Sequence, residues 1–248
     1  MRSGLISAGA WLLLVAGPTL AASDGPAPDL ERGRTLYGAR CAVCHGPEGR
    51  GDGAVSRFLD PRPRDFVTEP YKLRSTQPGQ APSDGDLYGT ISRGLPGTAM
   101  PGFAGLPSPD RWQLVHYLRS LSAARGAPVG EPLPLPERTP WSAERVDLGR
   151  QAYARLQCGL CHGPDGHADG VSARALEDHA GRPIYPFDMT RGWKLKRGDR
   201  AADVVATLMT GLDGTPMVSF RAMLSDEEAW ALAYYVRSLF LDRRAVED

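Results

Sequence analysis

All four cysteines and three of the five histidines fall into two short stretches, CAVCHGPEGRGDG from Cys41 and CGLCHGPDGHADG from Cys158. In each, two thiols stand three residues apart and a histidine follows the second at once. Such a pair could close a disulfide, supply half of a zinc site, serve as a dithiol redox couple, or grip a larger prosthetic group. An even number of cysteines in an exported chain argues for disulfides. The histidine behind each pair argues for something else. Cysteines at i and i+3 on a helical turn face one side. They can add to the two vinyl groups on one edge of a haem, and the next residue is then carried under the iron. C-x-x-C-H is the attachment signature of c-type haem. Zinc would require the two pairs to fold together around one ion, and a thioredoxin-like couple would require a βαβ setting. The favoured reading makes Cys41, Cys44, Cys158 and Cys161 thioether attachment points for two covalent haem c groups. His45 and His162 then become iron ligands.

The surroundings of the two stretches also repeat. ERGRTLYGARCAVCHGPEGRGDG corresponds to DLGRQAYARLQCGLCHGPDGHADG, with one extra residue before Cys158. ISRGLPGTAMPGF matches LMTGLDGTPMVSF without a gap, and SPDRWQLVHYLRSL matches SDEEAWALAYYVRSL. His45 precedes Met100 by 55 positions, and His162 precedes Met217 by the same 55. Met100 and Met217, each in a loop of glycine and proline, are therefore the candidates for the sixth iron position. The bland alternative is that each fills core space, the commoner role of methionine. Met209 and Met223 read as core residues, and Met189 is undecided. An iron closed by histidine and methionine has a raised potential and passes single electrons rather than breaking bonds.

Helices must position these groups. Apolar periodicity predicts helices over Leu30–Arg40 and Val146–Gln157, leading into the cysteine stretches. Shorter helices are expected over Asp86–Arg93 and Ala202–Thr210, closed by Gly94 and Gly211. The strongest run over Pro109–Leu121 and Asp226–Leu239, behind Ser108 and Ser225 as N-caps. No alternating strand pattern appears, so the expected fold class is all-α. Gly33 with Tyr117, and Gly149 with Tyr235, are the expected points where the outer helices of each unit cross. Trp112 and Trp230 read as core, and His116 as half-buried packing.

The segment from Gly126 to Pro140 has five prolines and no helical period, and reads as an extended linker. The expected organisation is a signal peptide over 1–22, a first domain over 23–125, a linker over 126–143 and a second domain over 144–248. The leader has Arg2, a short apolar run over Leu5–Ala16 and small residues before Ser23, which suits export to the periplasm. An uncleaved N-terminal anchor is the alternative. With 29 basic and 29 acidic residues the charge balances, giving no reason to expect nucleic acid or acidic lipid as a partner.

These motifs resemble those of two class I cytochrome c domains joined in tandem, over roughly residues 29–239. The resemblance implies an electron carrier with redox partner proteins as donor and acceptor. It also implies a helical bundle around each haem, and a carbonyl that accepts the second ring proton of each histidine, a place assigned to Pro47 and Pro164. In the middle of each unit Tyr71-Lys72-Leu73-Arg74 pairs with Trp193-Lys194-Leu195-Lys196. Lys72, Arg74, Lys194 and Lys196 are candidate partners of haem propionates, against a reading as solvated basic turns. Two other functions remain open: a dihaem enzyme of the peroxidase or thiosulfate-oxidising type, and a fixed electron-transfer subunit of a larger complex.

Overall fold

The computed structural model describes residues 25–122 and 126–241, so the leader lies outside the described residues. The first half contains α1 (Leu30–Arg40), the one-turn α2 (Ala42–His45), α3 (Asp84–Arg93) and α4 (Ser108–Ser122). The second half repeats them as α5 (Ala143–Arg155), α6 (Gly159–His162), α7 (Ala201–Thr210) and α8 (Asp226–Ser238). Among the described residues there is no strand, only two isolated bridges. The fold is all-α. No described helix is long and apolar enough to cross a membrane.

Local chemistry sets the helix ends. The Asp29 carboxylate accepts from Arg32 N at the start of α1, and Ser142 does the same for Arg145 N at α5. Ser83 with Asp86 and Ser225 with Glu228 form reciprocal capping boxes at α3 and α8. Gly94 and Gly211 end α3 and α7 at φ 71° and 67°, a region open to glycine without strain. Ser108 departs from expectation: it lies inside α4 rather than before it, and its hydroxyl pairs with Tyr88 Oη at 2.8 Å.

Each half closes by crossing its outer helices, α1 on α4 and α5 on α8. A Cβ built on Gly33 would lie 2.4 Å from the Gln113 carbonyl oxygen, and one on Gly149 would lie 2.0 Å from that of Ala231. The side chains beside these points are Tyr117 and Tyr235, as the repeat suggests. Around the crossings sit Tyr37, Leu114 and Val115 in the first half, and Tyr153, Ala229, Leu232 and Tyr234 in the second, all buried. Burying a side chain of this size contributes roughly 1.5–3 kcal/mol.

Trp230 is buried and donates to Pro136 O at 3.1 Å, while Tyr234 donates to Thr139 O at 2.6 Å. Trp112 stacks on Tyr88, and half-buried His116 pairs with Pro26 O at 3.1 Å. Both helices thus anchor the chain that enters their own half. The proline-rich segment is extended and bonded along its length. Pro128 O accepts from Ala81 N, Leu133 N donates to Ser75 O, and Pro134 O accepts from Arg221.

Candidate functional site

In the first half α1 runs straight into α2, with Cys41 at the joint; Cys41 N donates to Tyr37 O at 2.8 Å and His45 N to Cys41 O at 2.9 Å. This turn sets Cys41, Cys44 and His45 on one wall of a cleft. Met100 lines the same cleft from the loop after α3, and Leu87, Ile91, Leu114 and Leu118 give it an apolar lining. Its open space, including the mouth, is about 1400 Å³.

The imidazole is oriented. His45 Nδ1 lies 3.0 Å from the carbonyl oxygen of Arg64, which can only accept, so Nδ1 carries the hydrogen and Nε2 keeps its lone pair. Burial pushes the pKa of His45 down, favouring that neutral form, and the ring stacks on Phe66 at 4.5 Å. His162 repeats the arrangement: Nδ1 is 3.3 Å from Phe187 O, and burial again lowers the pKa. Pro47 and Pro164 do not take this role. Behind each histidine the chain doubles back, with Gly51 N on His45 O and Ala168 N on His162 O, both at 2.8 Å. The acceptor must therefore come from a segment that returns over the ring.

The two returning segments are equivalent, although their sequences barely suggest it. Asp65 caps its turn through Val67 N and Thr68 N, and Asp188 through Thr190 N. The next residue is tied down in both, Phe66 N to Gly49 O and Met189 N to Gly166 O at 2.7 Å each. Met189 thus stands where Phe66 stands, packed under the second core. Met209 is buried as expected; Met223 is not a core residue but 44% exposed.

The methionine loops match bond for bond. Leu95 N donates to Met100 O at 3.1 Å and Leu212 N to Met217 O at 2.9 Å. Met100 N bonds Thr98 Oγ1, and Met217 N bonds Thr215 Oγ1, both at 3.2 Å. The extra residue before Cys158 is absorbed at Gln157, which adopts φ 56° so that α6 keeps the register of α2. Tyr37 Oη donates to Gly46 O at 2.8 Å and Tyr153 Oη to Gly163 O at 2.6 Å, pinning the residue after each histidine.

None of the four cysteines is in a disulfide. Burial pushes the Cys41 and Cys158 thiols up to about 11, the reverse of a reactive dithiol. Among the described residues no three His, Cys, Asp or Glu side chains converge as a metal site, so the two pairs do not share a zinc ion.

Of the basic candidates, Lys72 lines the first cleft. Lys196 lines that same cleft although it belongs to the second half. Burial, then the nearby Arg64 and Lys196, push the Lys72 ammonium down to about 8, and burial lowers Lys196 as well. Arg74 does not face the cleft. It is wholly buried and ion-paired with Asp213 at the contact between the halves. The side chains of Trp193 and Lys194 lie outside the described residues. The residues present fit a haem: two thiols for its edge, a neutral imidazole and a thioether on the same cleft, apolar walls, and ammonium groups suited to propionates.

Residues 30–122 match the family model described as cytochrome c, and residues 144–236 match that of cytochrome c oxidase, cbb3-type, subunit III. A solved chain in the reducing HAO-like protein complex of Kuenenia stuttgartiensis is 43% identical, with a TM-score of 0.79. The likeness covers 85% of this chain and 96% of that one. The chain belongs to the dihaem c-type cytochromes. Two curated relatives are the cbb3-type cytochrome c oxidase subunit CcoP of Azospirillum sp. (strain B510) and of Azospirillum brasilense. Each is 28% identical to this cytochrome over 84% of its length. The cytochrome spans 61% of the length of each. Its two cytochrome c domains, each with a CxxCH stretch, imply two covalent haem c groups.

Proposed function

We propose that this cytochrome is an exported relay passing single electrons between redox partner proteins through two low-spin haems. His45 with Met100 holds one iron, and His162 with Met217 the other. The observation that carries the reading is the duplicated methionine loop, with the same backbone bonds at Met100 and Met217. Methionine opposite histidine supplies a closed, high-potential iron that exchanges single electrons. The chain's own part is to hold each ring and sulfur rigid, so that little reorganises when charge moves. Arg64 O and Phe187 O fix the imidazoles, and the threonine hydroxyls fix the loops. With both axial places taken there is no open face for catalysis, and the protein acts as a carrier rather than an enzyme. In this reading domains over 23–125 and 144–248 follow a cleaved leader over 1–22, joined by residues 126–143, in the periplasm.

The names of the relatives favour a place within a larger respiratory or oxidoreductase complex over a free shuttle. A redox titration of the purified holoprotein, followed by electron paramagnetic resonance, tests the core of the proposal. Two low-spin ferric centres, each titrating as one electron, are expected. A high-spin centre, or rapid cyanide binding at either iron, would sink it.

A further inference from the structure

The contact between the halves connects one candidate site to the other. Arg74, from the first half, is fully buried and grips Asp213 with two nitrogens, Nε to Oδ2 at 2.7 Å and Nη2 to Oδ1. It also donates to Thr210 O at 2.9 Å. Gly79 N, again from the first half, donates to Asp213 Oδ2 at 2.9 Å. Asp213 belongs to the loop Gly211-Leu212-Asp213-Gly214-Thr215-Pro216-Met217, whose closing bond joins Leu212 N to Met217 O. In the first half the matching position is Pro96, which has no carboxylate to offer. The second methionine loop is thus fastened by a residue of the first half, a fastening the first loop lacks.

The return contribution is Lys196. It lines the cleft of Cys41, His45 and Met100 beside Arg64 and Lys72. Glu69 answers the charge of Arg64 at 2.8 Å. Among the described residues no carboxylate lies within ion-pair distance of Lys72 or Lys196. Asp178 and Glu69 act on Lys72, and Asp60 on Lys196, only from beyond ion-pair distance. Half-buried ammonium groups so weakly compensated are unfavourable, and the two propionates at a haem edge would carry the charge that pairs with them.

We infer that each half completes the other's haem site: Lys196 gives the first haem a propionate-side cation, and Arg74, through Asp213, holds the loop presenting Met217. The inference rests on the axial-ligand reading above. A cation beside a haem disfavours the more positive ferric state, so Lys196 raises the potential of the first haem. Arg74 acts as a positioning residue, through the loop rather than on the iron.

The test uses the full holoprotein with both haems attached. Met100→His and Met217→His mark which potential belongs to which half. Lys196→Gln should lower the potential marked by Met100→His and leave the other in place, and Lys196→Arg should restore it. Asp213→Asn should make the second haem lose its sulfur-to-iron absorption band at a lower temperature than the parent, with the first band retained. The inference is overturned if Lys196→Gln moves only the second potential or neither, or if Asp213→Asn leaves the second band's melting unchanged. Should Met217→His move no potential, the ligand reading fails at that site and the Arg74 half falls with it. The Lys196 half is still decided through Met100→His.

Discussion

Gly149 and Ala231 meet backbone to backbone: a single added Cβ would lie 2.0 Å from the Ala231 carbonyl oxygen. The obstacle is main chain on a buried helix and cannot swing aside. Gly149→Ala should destabilise the second half by about 3 kcal/mol, read as a drop in its melting temperature. Gly33→Ala, at 2.4 Å from Gln113 O, should do the same to the first half. A melting curve unchanged by either substitution would contradict the crossing.

Tyr37→Phe and Tyr153→Phe each remove the hydroxyl that donates to the carbonyl of the glycine just after the candidate iron-ligating histidine. The ring and its burial stay, and the carbonyl oxygen loses a partner. A loss of about 1–2 kcal/mol is expected at each site, measurable by denaturant unfolding of the holoprotein.

Met100→Ala and Met217→Ala should leave both haems covalently attached, since the cysteines are untouched. Each should abolish one sulfur-to-iron band and lower one potential. Haem staining after denaturing electrophoresis checks the attachment, and spectroelectrochemistry the rest. Unaltered potentials in Met217→Ala would remove that residue from the iron.

Burial alone would raise the Asp178 carboxyl, but hydrogen bonds from the Arg182 side chain, Arg182 N and Ala180 N outweigh it and hold the group at about 2. A depressed carboxyl contributes stability above its unfolded value, near 4, and that contribution disappears as pH falls toward 2. Arg182 also pairs with Glu69 of the first half. Acidification from pH 4 to 2 should therefore lower the melting temperature of the parent more than that of Asp178→Asn. Equal slopes in the two proteins would refute this.

What the sequence revealed, it revealed through local rules or through repetition. The span of α1 follows from its apolar period up to the Cys41 joint, and the start of α8 from Ser225 as its N-cap. The crossings at Gly33 and Gly149 follow from comparing one half with the other. At the histidines, residue identity cannot decide what only the backbone path decides. A carbonyl at Pro47 is chemically as good an acceptor as one at Arg64, and the difference is which segment comes back over the ring. In the middle segments the equivalence the backbone shows is Asp65 with Asp188, a single shared letter among unlike neighbours. From the sequence Arg74 and Lys196 are propionate partners or solvated basic turns alike, whereas Arg74 is buried between the halves and Lys196 lines the first half's cleft. Their true surroundings depend on how the halves dock, which leaves no period or motif in either stretch.

The placement of Lys196 in the wall of the first cleft has a consequence for biogenesis. A polypeptide that emerges amino end first delivers Cys41, Cys44, His45 and Met100 well before residue 196. The earlier site in translation order is therefore finished only after most of the later one has been made. The wall of the amino-terminal cleft is complete only when residue 196 has been made, so a chain cut before that point would lack part of it.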